Sequence, residues 1–457
     1  MSLPKSGHLF LVSKAIGSPL ASRNSVQIHH RLRHFHSPAR LQVVSPSPQA
    51  TARNSQPRSP PIAPPTHISS AESISGKKAY WDGKALYAFR DRQFQPLPSL
   101  WLRDHCQCAL CFHLETKQRL YNTFENTTPP EIKSCQEMNN GFQIVWHDGH
   151  ESFYDHAWLR EQDEERLTQI RQGRLPNVNL WGSNIQDSPP QVDYDEVMQT
   201  EEGVKKWCSE IRLHGFSFVD GCPPTPEATK ALLERISFIR QTHYGGYWEV
   251  LSEMASIDTA YTNLALEAHT DTTYFSDPVG LQMFHLLSHE GGKGGESLLV
   301  DGAAAAAKLF QKDPEAYKLL SEIAVRHHAS GDDGINFTSY RGFSVLEHDL
   351  EQGHLLRIRW NNADRASIEC PMHMKSRWYE AARMFNQIIS DERSQYWSKL
   401  LPGRPLIFDN WRVLHGRAAF TGRRRLGGGY INRDDFVSRL KMLEYGKDKV
   451  LAATVTG

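Results

Sequence analysis

The chain has 457 residues, 39% of them hydrophobic, with 52 basic and 52 acidic side chains and a formal net charge of zero. That length has room for about three units of ordinary domain size, so a buried core is not in question. The charge is uneven. Residues 1–75 hold eight Lys or Arg and a single acid, Glu72, which leaves 44 basic against 51 acidic residues in the body, a net of −7. An acidic body is a poor match to a phosphate backbone, which argues against nucleic acid as a partner. No run reaches the roughly 18 apolar residues of a membrane span.

The first 75 residues also carry ten of the 25 prolines and many Ser and His. Arg-rich, Ser-rich and acid-poor is the composition of an organelle transit peptide, with Val26–Arg33 as its amphipathic part. Residues 1–76 are therefore read as a transit peptide and disordered tail, and the mitochondrial matrix as the destination. Residues 77–180 read as a small, mostly β domain with strands at Ala79–Trp81, Phe142–Trp146 and Ser152–Tyr154. Trp181–Gln191, with Gly, Ser, Asn and two prolines, marks a linker over residues 181–193. From 194 to 457 a helix is predicted over Tyr194–Leu213, stopped by Gly215, then a strand at Phe216–Val219. Further strands follow at Gly280–Leu287, Glu296–Val300, His354–Arg359, Pro405–Phe408 and Gly428–Ile431, with helices at Ala303–Ile323 and Lys375–Asp391. Many short strands with inserted helices predict a mainly β fold closed as a jelly roll.

Seven cysteines in so long a chain do not make a disulfide scaffold. Cys106, Cys108 and Cys111 cluster tightly, which suggests a metal.

Ala268-His269-Thr270-Asp271 puts two metal-competent side chains two residues apart, on one face if the segment is an extended strand. His415, closing the apolar run that begins at Leu406, is the best third ligand. Two histidines and one carboxylate leave positions open, as in non-haem iron(II) oxygenases. A 2-oxoglutarate co-substrate would fill two of them and leave one for O₂. Its far carboxylate needs a guanidinium. Arg424 is suitably placed, with Arg417, Arg423 and Arg425 as competitors. His285 and His289 lie in an apolar strand without a carboxylate. Gly291-Gly292-Lys293-Gly294-Gly295 lacks the strand-to-helix context of a phosphate loop and reads as a tight turn.

Three segments together, Leu266–Phe275, Gly294–Gly302 and Asp409–Arg417, resemble the γ-butyrobetaine and trimethyllysine dioxygenases of carnitine biosynthesis. The resemblance spans residues 80–445 and is strongest to the trimethyllysine branch. It implies a double-stranded β-helix, iron(II), 2-oxoglutarate, ascorbate as reductant, and a homodimer acting on a small-molecule substrate. It selects Arg424 among the arginines and adds Ser297 as a co-substrate contact. It also implies a structural zinc in the small domain, held by Cys106, Cys108, Cys111 and the distant His150. Three thiolates and an imidazole complete a tetrahedron with no open position. His105, His113 and His147 are alternatives to His150.

The implied reaction is hydroxylation of N6-trimethyllysine at C3 with release of succinate and CO₂. The alternatives are hydroxylation of γ-butyrobetaine and, more remotely, an inactive metal-binding scaffold. Tyr244, Trp248, Tyr261 and Tyr430 stand where the family cages a trimethylammonium group, which has no N–H to donate and is recognised by cation–π attraction. Trimethyllysine adds an α-ammonium, for which Asp258 is the expected partner. Asn361, or its neighbour Asn362, is the expected carboxylate contact.

Overall fold

The computed structural model describes residues 79–90, 93–125, 128–162, 164–173, 178–251, 262–331, 334–349 and 353–455. The expected transit peptide lies outside them. None of the described helices is long and apolar enough to cross a membrane.

Residues 79–98 and 132–155 form two three-stranded antiparallel sheets. Phe142, Ile144 and Trp146 alternate inward along the Gly141–Trp146 strand and meet Leu86, Leu97 and Leu102 in a shared core.

Two larger sheets follow. The first runs in the order Trp248–Leu251, Arg423–Ile431, Leu281–Glu290, Leu406–Asp409, Phe216–Asp220 and Gln191–Asp193, and only its last pair is parallel. The second runs Leu266–His269, Val413–Arg417, Ser297–Asp301 and Gln395–Ser398. Phe216, Phe408 and Leu426 of the first share a core with Leu299, Tyr396 and Val413 of the second. The opposite faces are buried too. Ile407 and Met283 pack under Trp207, Leu232 and Phe436, while Leu298, Val300 and Leu414 pack under Leu309, Leu320 and Phe385. Burial on both faces explains why Leu298–Val300 and Leu406–Phe408 are unbroken apolar runs rather than alternating ones.

Both long predicted helices are broken, for readable reasons. Tyr194–Gln199 and Glu201–His214 are separated at Thr200, whose extended backbone lets its hydroxyl accept from the Gly203 amide. A Cβ on Gly203 would lie 2.2 Å from the Glu196 carbonyl oxygen, so the two helices meet where only glycine fits. Gly302–Lys312 and Pro314–Glu322 are split because Pro314 has no N–H to continue the first helix and Asp313 caps the second. Within the expected linker, Trp181 is buried and Gln191–Asp193 pairs with the Phe216–Asp220 strand. The glycine run is a tight turn: Gly291, Gly294 and Gly295 all adopt positive φ, and a strand rather than a helix follows.

One buried ion pair fastens these layers. Arg412 grips Asp301 through two bonds of 3.1 and 2.7 Å and donates to the carbonyls of Leu213 and Asn179. Asp301 also accepts from the Trp181 amide and caps the helix that begins at Gly302. Removing one member leaves the other charge buried and unpaired, which costs about 3–5 kcal/mol. Asp301→Ala is therefore expected to lower the melting temperature sharply and to weaken urea resistance by that amount. A variant that melts with the parent would show that the pair is dispensable.

Candidate metal centre and co-substrate site

The Leu266–His269 strand pairs with Val413–Arg417 so that His269 stands directly opposite His415. Opposed residues in an antiparallel pair project from the same face, and the imidazole centroids lie 4.3 Å apart. Asp271 completes the group, with Oδ1 3.3 Å from His269 Nε2 and Oδ2 3.7 Å from His415 Nε2. One ligand atom from each residue lies within 4.8 Å of the other two.

Strand alternation is not what brings the carboxylate to this face. The strand ends at His269, and the chain turns through Thr272 at a φ of 55°. Asp271 is held instead by Asn410, which accepts from its amide at 2.8 Å and donates to its carbonyl at 3.0 Å. Gln282 Nε2 donates to Asp271 Oδ2 at 2.7 Å. Sequence reasoning overlooked both amides, although Gln282 is the one polar residue in the apolar Gly280–Phe284 run and a buried polar group needs a partner.

His269 Nδ1 lies 2.7 Å from the Glu267 carbonyl oxygen, to which it donates, so Nε2 faces the carboxylate. Burial and the neighbouring His269 push His415 down to about 3. Burial alone would raise Asp271, but the His415 and His269 rings and the Gln282 amide outweigh it and hold the acid well below the usual carboxylate range. For His269, burial is outweighed by the hydrogen bond and charge of Asp271, and its affinity for a proton rises. An ionised carboxylate beside two imidazoles is a donor set for a divalent cation, which would take the place of that proton. His269 and Asp271 keep 17% and 25% of their side-chain surface exposed, so the cluster opens on one side.

The arginines sort by strand alternation. Arg425 points outward and pairs with Glu249 at 2.7 Å, and Arg423 is exposed. Arg424 faces the other way, with Leu426 and Tyr430, and is 5% exposed. Burial and the adjacent Arg417 push its guanidinium down to about 10, still charged at neutral pH. Arg417 is spent on the carbonyls of Thr262 and Leu264. Ser297 is buried and stands opposite Arg417 in the neighbouring strand.

Of the expected aromatic cage, Trp248 and Tyr430 come together with ring centroids 5.7 Å apart. Phe284 bridges them to the metal cluster, 5.8 Å from Trp248 and 5.5 Å from His415. A Cβ on Gly428 would come within 2.4 Å of the Trp248 ring, which explains the glycine there. Tyr244 packs on the same core and its ring lies 3.9 Å from that of His243. Tyr261 and Asp258 lie outside the described residues. Asn361 closes its own turn, accepting from the Ala363 and Asp364 amides and donating to Asp364. It lines a cavity of about 360 Å³ with Glu267, Trp360 and Asn362.

A second cluster lies in the N-terminal sheets. Cys106, Cys108 and Cys111 Sγ stand 3.4, 3.6 and 3.5 Å from His150 Nε2. The sulfurs of Cys111 and Cys106 also accept from Arg103 and Ser152. His105 turns away, its Nδ1 2.7 Å from the Trp101 carbonyl oxygen.

Comparison with known proteins places these sites in a family. Residues 177–430 match the taurine catabolism dioxygenase TauD, TfdA family, and residues 84–160 match the N-terminal domain of the gamma-butyrobetaine hydroxylase-like proteins. Over 396 residues, 79% of this chain and 83% of the relative, the chain is 42% identical to trimethyllysine dioxygenase of Neurospora crassa. It is 39% identical to the mitochondrial trimethyllysine dioxygenase of Homo sapiens, over 91% of this chain and 99% of that one. Identity to the gamma-butyrobetaine dioxygenase of Pongo abelii is 29%, over 82% and 97% of the two chains. The chain therefore belongs to the TauD/TfdA dioxygenase family, among its trimethyllysine dioxygenases.

Proposed function

We propose that this protein hydroxylates N6-trimethyllysine at C3, using iron(II), O₂ and 2-oxoglutarate, as the first step of carnitine biosynthesis. The observation that carries the reading is the open cluster of His269, Asp271 and His415, with a charged guanidinium, Arg424, buried in the same protein interior. The names of the relatives choose the substrate.

Iron bound at the cluster would supply the activation of O₂, one oxygen atom going to succinate as CO₂ leaves and the other to the substrate hydroxyl. The protein's own residues bind and orient. His269 presents Nε2 because its Nδ1–H is committed to Glu267, and Asp271 stays ionised through Gln282 and the two rings. Arg424 takes the far carboxylate of 2-oxoglutarate, with Ser297 beside it. Trp248, Tyr430 and Tyr244, joined by Tyr261, receive the trimethylammonium group, and Asp258 and Asn361 the α-ammonium and carboxylate. The two-sheet fold is read as a double-stranded β-helix and the destination as the mitochondrial matrix. Ascorbate keeps the iron ferrous.

The cysteine cluster is read as a structural zinc site. With Zn–S near 2.3 Å and Zn–N near 2.05 Å, the sulfur–nitrogen edge of a tetrahedron is about 3.6 Å. The observed separations of 3.4, 3.6 and 3.5 Å fit that edge.

Purified protein given each trimethylated substrate should convert trimethyllysine in preference to γ-butyrobetaine, with equimolar succinate. His269→Ala, Asp271→Ala and His415→Ala should each reduce succinate formation to background while remaining folded. A reversed preference would make it a γ-butyrobetaine hydroxylase, and no turnover in an iron-loaded parent would favour the scaffold. Arg424→Ala should raise the KM for 2-oxoglutarate steeply, because a desolvated charge pair worth roughly 2–5 kcal/mol is lost. The same effect from Arg417→Ala and not from Arg424→Ala would move the anchor. Elemental analysis should find one zinc per chain. Cys108→Ser should lower both zinc content and melting temperature, whereas a folded, zinc-free parent would refute the site.

A further inference from the structure

We propose that Arg359 is a positioning residue that fixes the turn behind Asp271, and with it the substrate wall, relative to the metal. The inference rests on the oxygenase reading above, but its geometry stands by itself. Arg359 follows a two-stranded hairpin, Leu346–His348 with Leu355–Ile358, and its own amide donates to the Val345 carbonyl at 2.9 Å. Its side chain is 1% exposed. The guanidinium lies over the Phe343 ring at 3.9 Å, and every edge is used. Nε pairs with Glu347, Nη1 donates to the carbonyls of Thr273 and Phe275 at 2.9 and 2.6 Å, and Nη2 to that of Ser276 at 2.8 Å.

Those three carbonyls belong to the turn that leaves Asp271. Thr272, at its start, holds a φ of 55°, which a β-branched residue adopts only at a cost. Such a backbone persists where its surroundings over-determine it. Asn410 holds the Asp271 side of the turn and the Val279 carbonyl. Arg359 holds the middle. Arg240 holds the far side, donating to the Asp277 carbonyl at 2.9 Å.

The same turn forms part of the substrate wall. Tyr274 and Phe275 pack around His243, at 6.0 and 5.9 Å between centroids, and His243 lies against Tyr244. One guanidinium thus sets both the metal carboxylate and an aromatic of the proposed cage. Lysine cannot replace it: a single ammonium cannot reach three carbonyls and a carboxylate in one plane.

The test uses the full chain with Arg359→Lys and Glu347→Gln. In metal-free protein, amide hydrogen exchange in the peptide covering residues 272–279 should quicken about 10-fold or more, with the sheets unchanged. Iron(II) affinity by anaerobic dialysis should fall by about 10-fold, as for other groups that orient a metal ligand. With trimethyllysine, hydroxylated product should fall well below succinate, because a mispositioned substrate lets 2-oxoglutarate be consumed unproductively. Parental exchange and parental coupling in a folded Arg359→Lys would overturn the proposal, as would faster exchange spread over the whole molecule, the sign of a structural role only. If Arg359→Lys does not fold, Glu347→Gln decides by the same readings. A parent that binds no iron would sink the oxygenase reading, while the exchange arm would still judge the clamp.

Discussion

The Asp271 carboxylate has to be held beside two imidazoles against a backbone that would rather relax, and the structure is arranged around that constraint. Asp271 lies beyond the end of its strand, and the next residue is a threonine at positive φ, a conformation costing about 1–2 kcal/mol for a non-glycine residue. Strand pairing fixes the two histidines, since His269 and His415 are cross-strand neighbours. It cannot fix the aspartate. That task falls to side chains from three separate parts of the chain: Asn410 ahead of the His415 strand, Gln282 on the other sheet, and Arg359 from the insertion between Asp301 and Gln395.

The segment Asp409–Arg417 shows how much can be packed into nine residues. Asp409 pairs with Arg433, Asn410 clamps Asp271, Arg412 grips Asp301, and His415 joins the metal cluster. Arg412 ties this segment to the helix end at Leu213 and to Asn179, so the strand that carries His415 is fastened from its far side. Motion in either sheet would separate His415 from Asp271. The buried charge pairs therefore keep His415 and Asp271 in register as much as they hold the sheets together.

The sequence was informative where local chemistry decides the outcome. Continuous apolar runs marked the central strands because those strands are covered on both faces, and the His-x-Asp spacing picked out two side chains that the fold brings together with His415. The reason offered for that spacing was incomplete, since Asp271 lies in a turn and not on the strand. Thr200 and Pro314 carried legible signals of helix breaks that apolar periodicity outweighed. Gln282, Asn410 and Arg359 were less visible, because an amide or guanidinium reads as polar surface until its distant partner is known. The separation between Arg359 and the carbonyls it holds is more than 80 residues along the chain.

The two clusters divide their work by how they are closed. Three sulfurs at 3.4–3.6 Å from one imidazole nitrogen would leave a metal no vacant corner, so binding there would become folding free energy for the N-terminal sheets and their modest core. At the other cluster three donors meet on one side, and two of them remain partly exposed. A metal held there by three protein donors would keep positions available for other ligands. A closed site tolerates backbone freedom because four bonds enforce its geometry. An open one has fewer bonds to spare, so its geometry must come from the protein. With metals bound, this difference would account for the clamps from Asn410, Gln282 and Arg359 around Asp271, where the cysteine cluster has Arg103 and Ser152 as donors to its sulfurs.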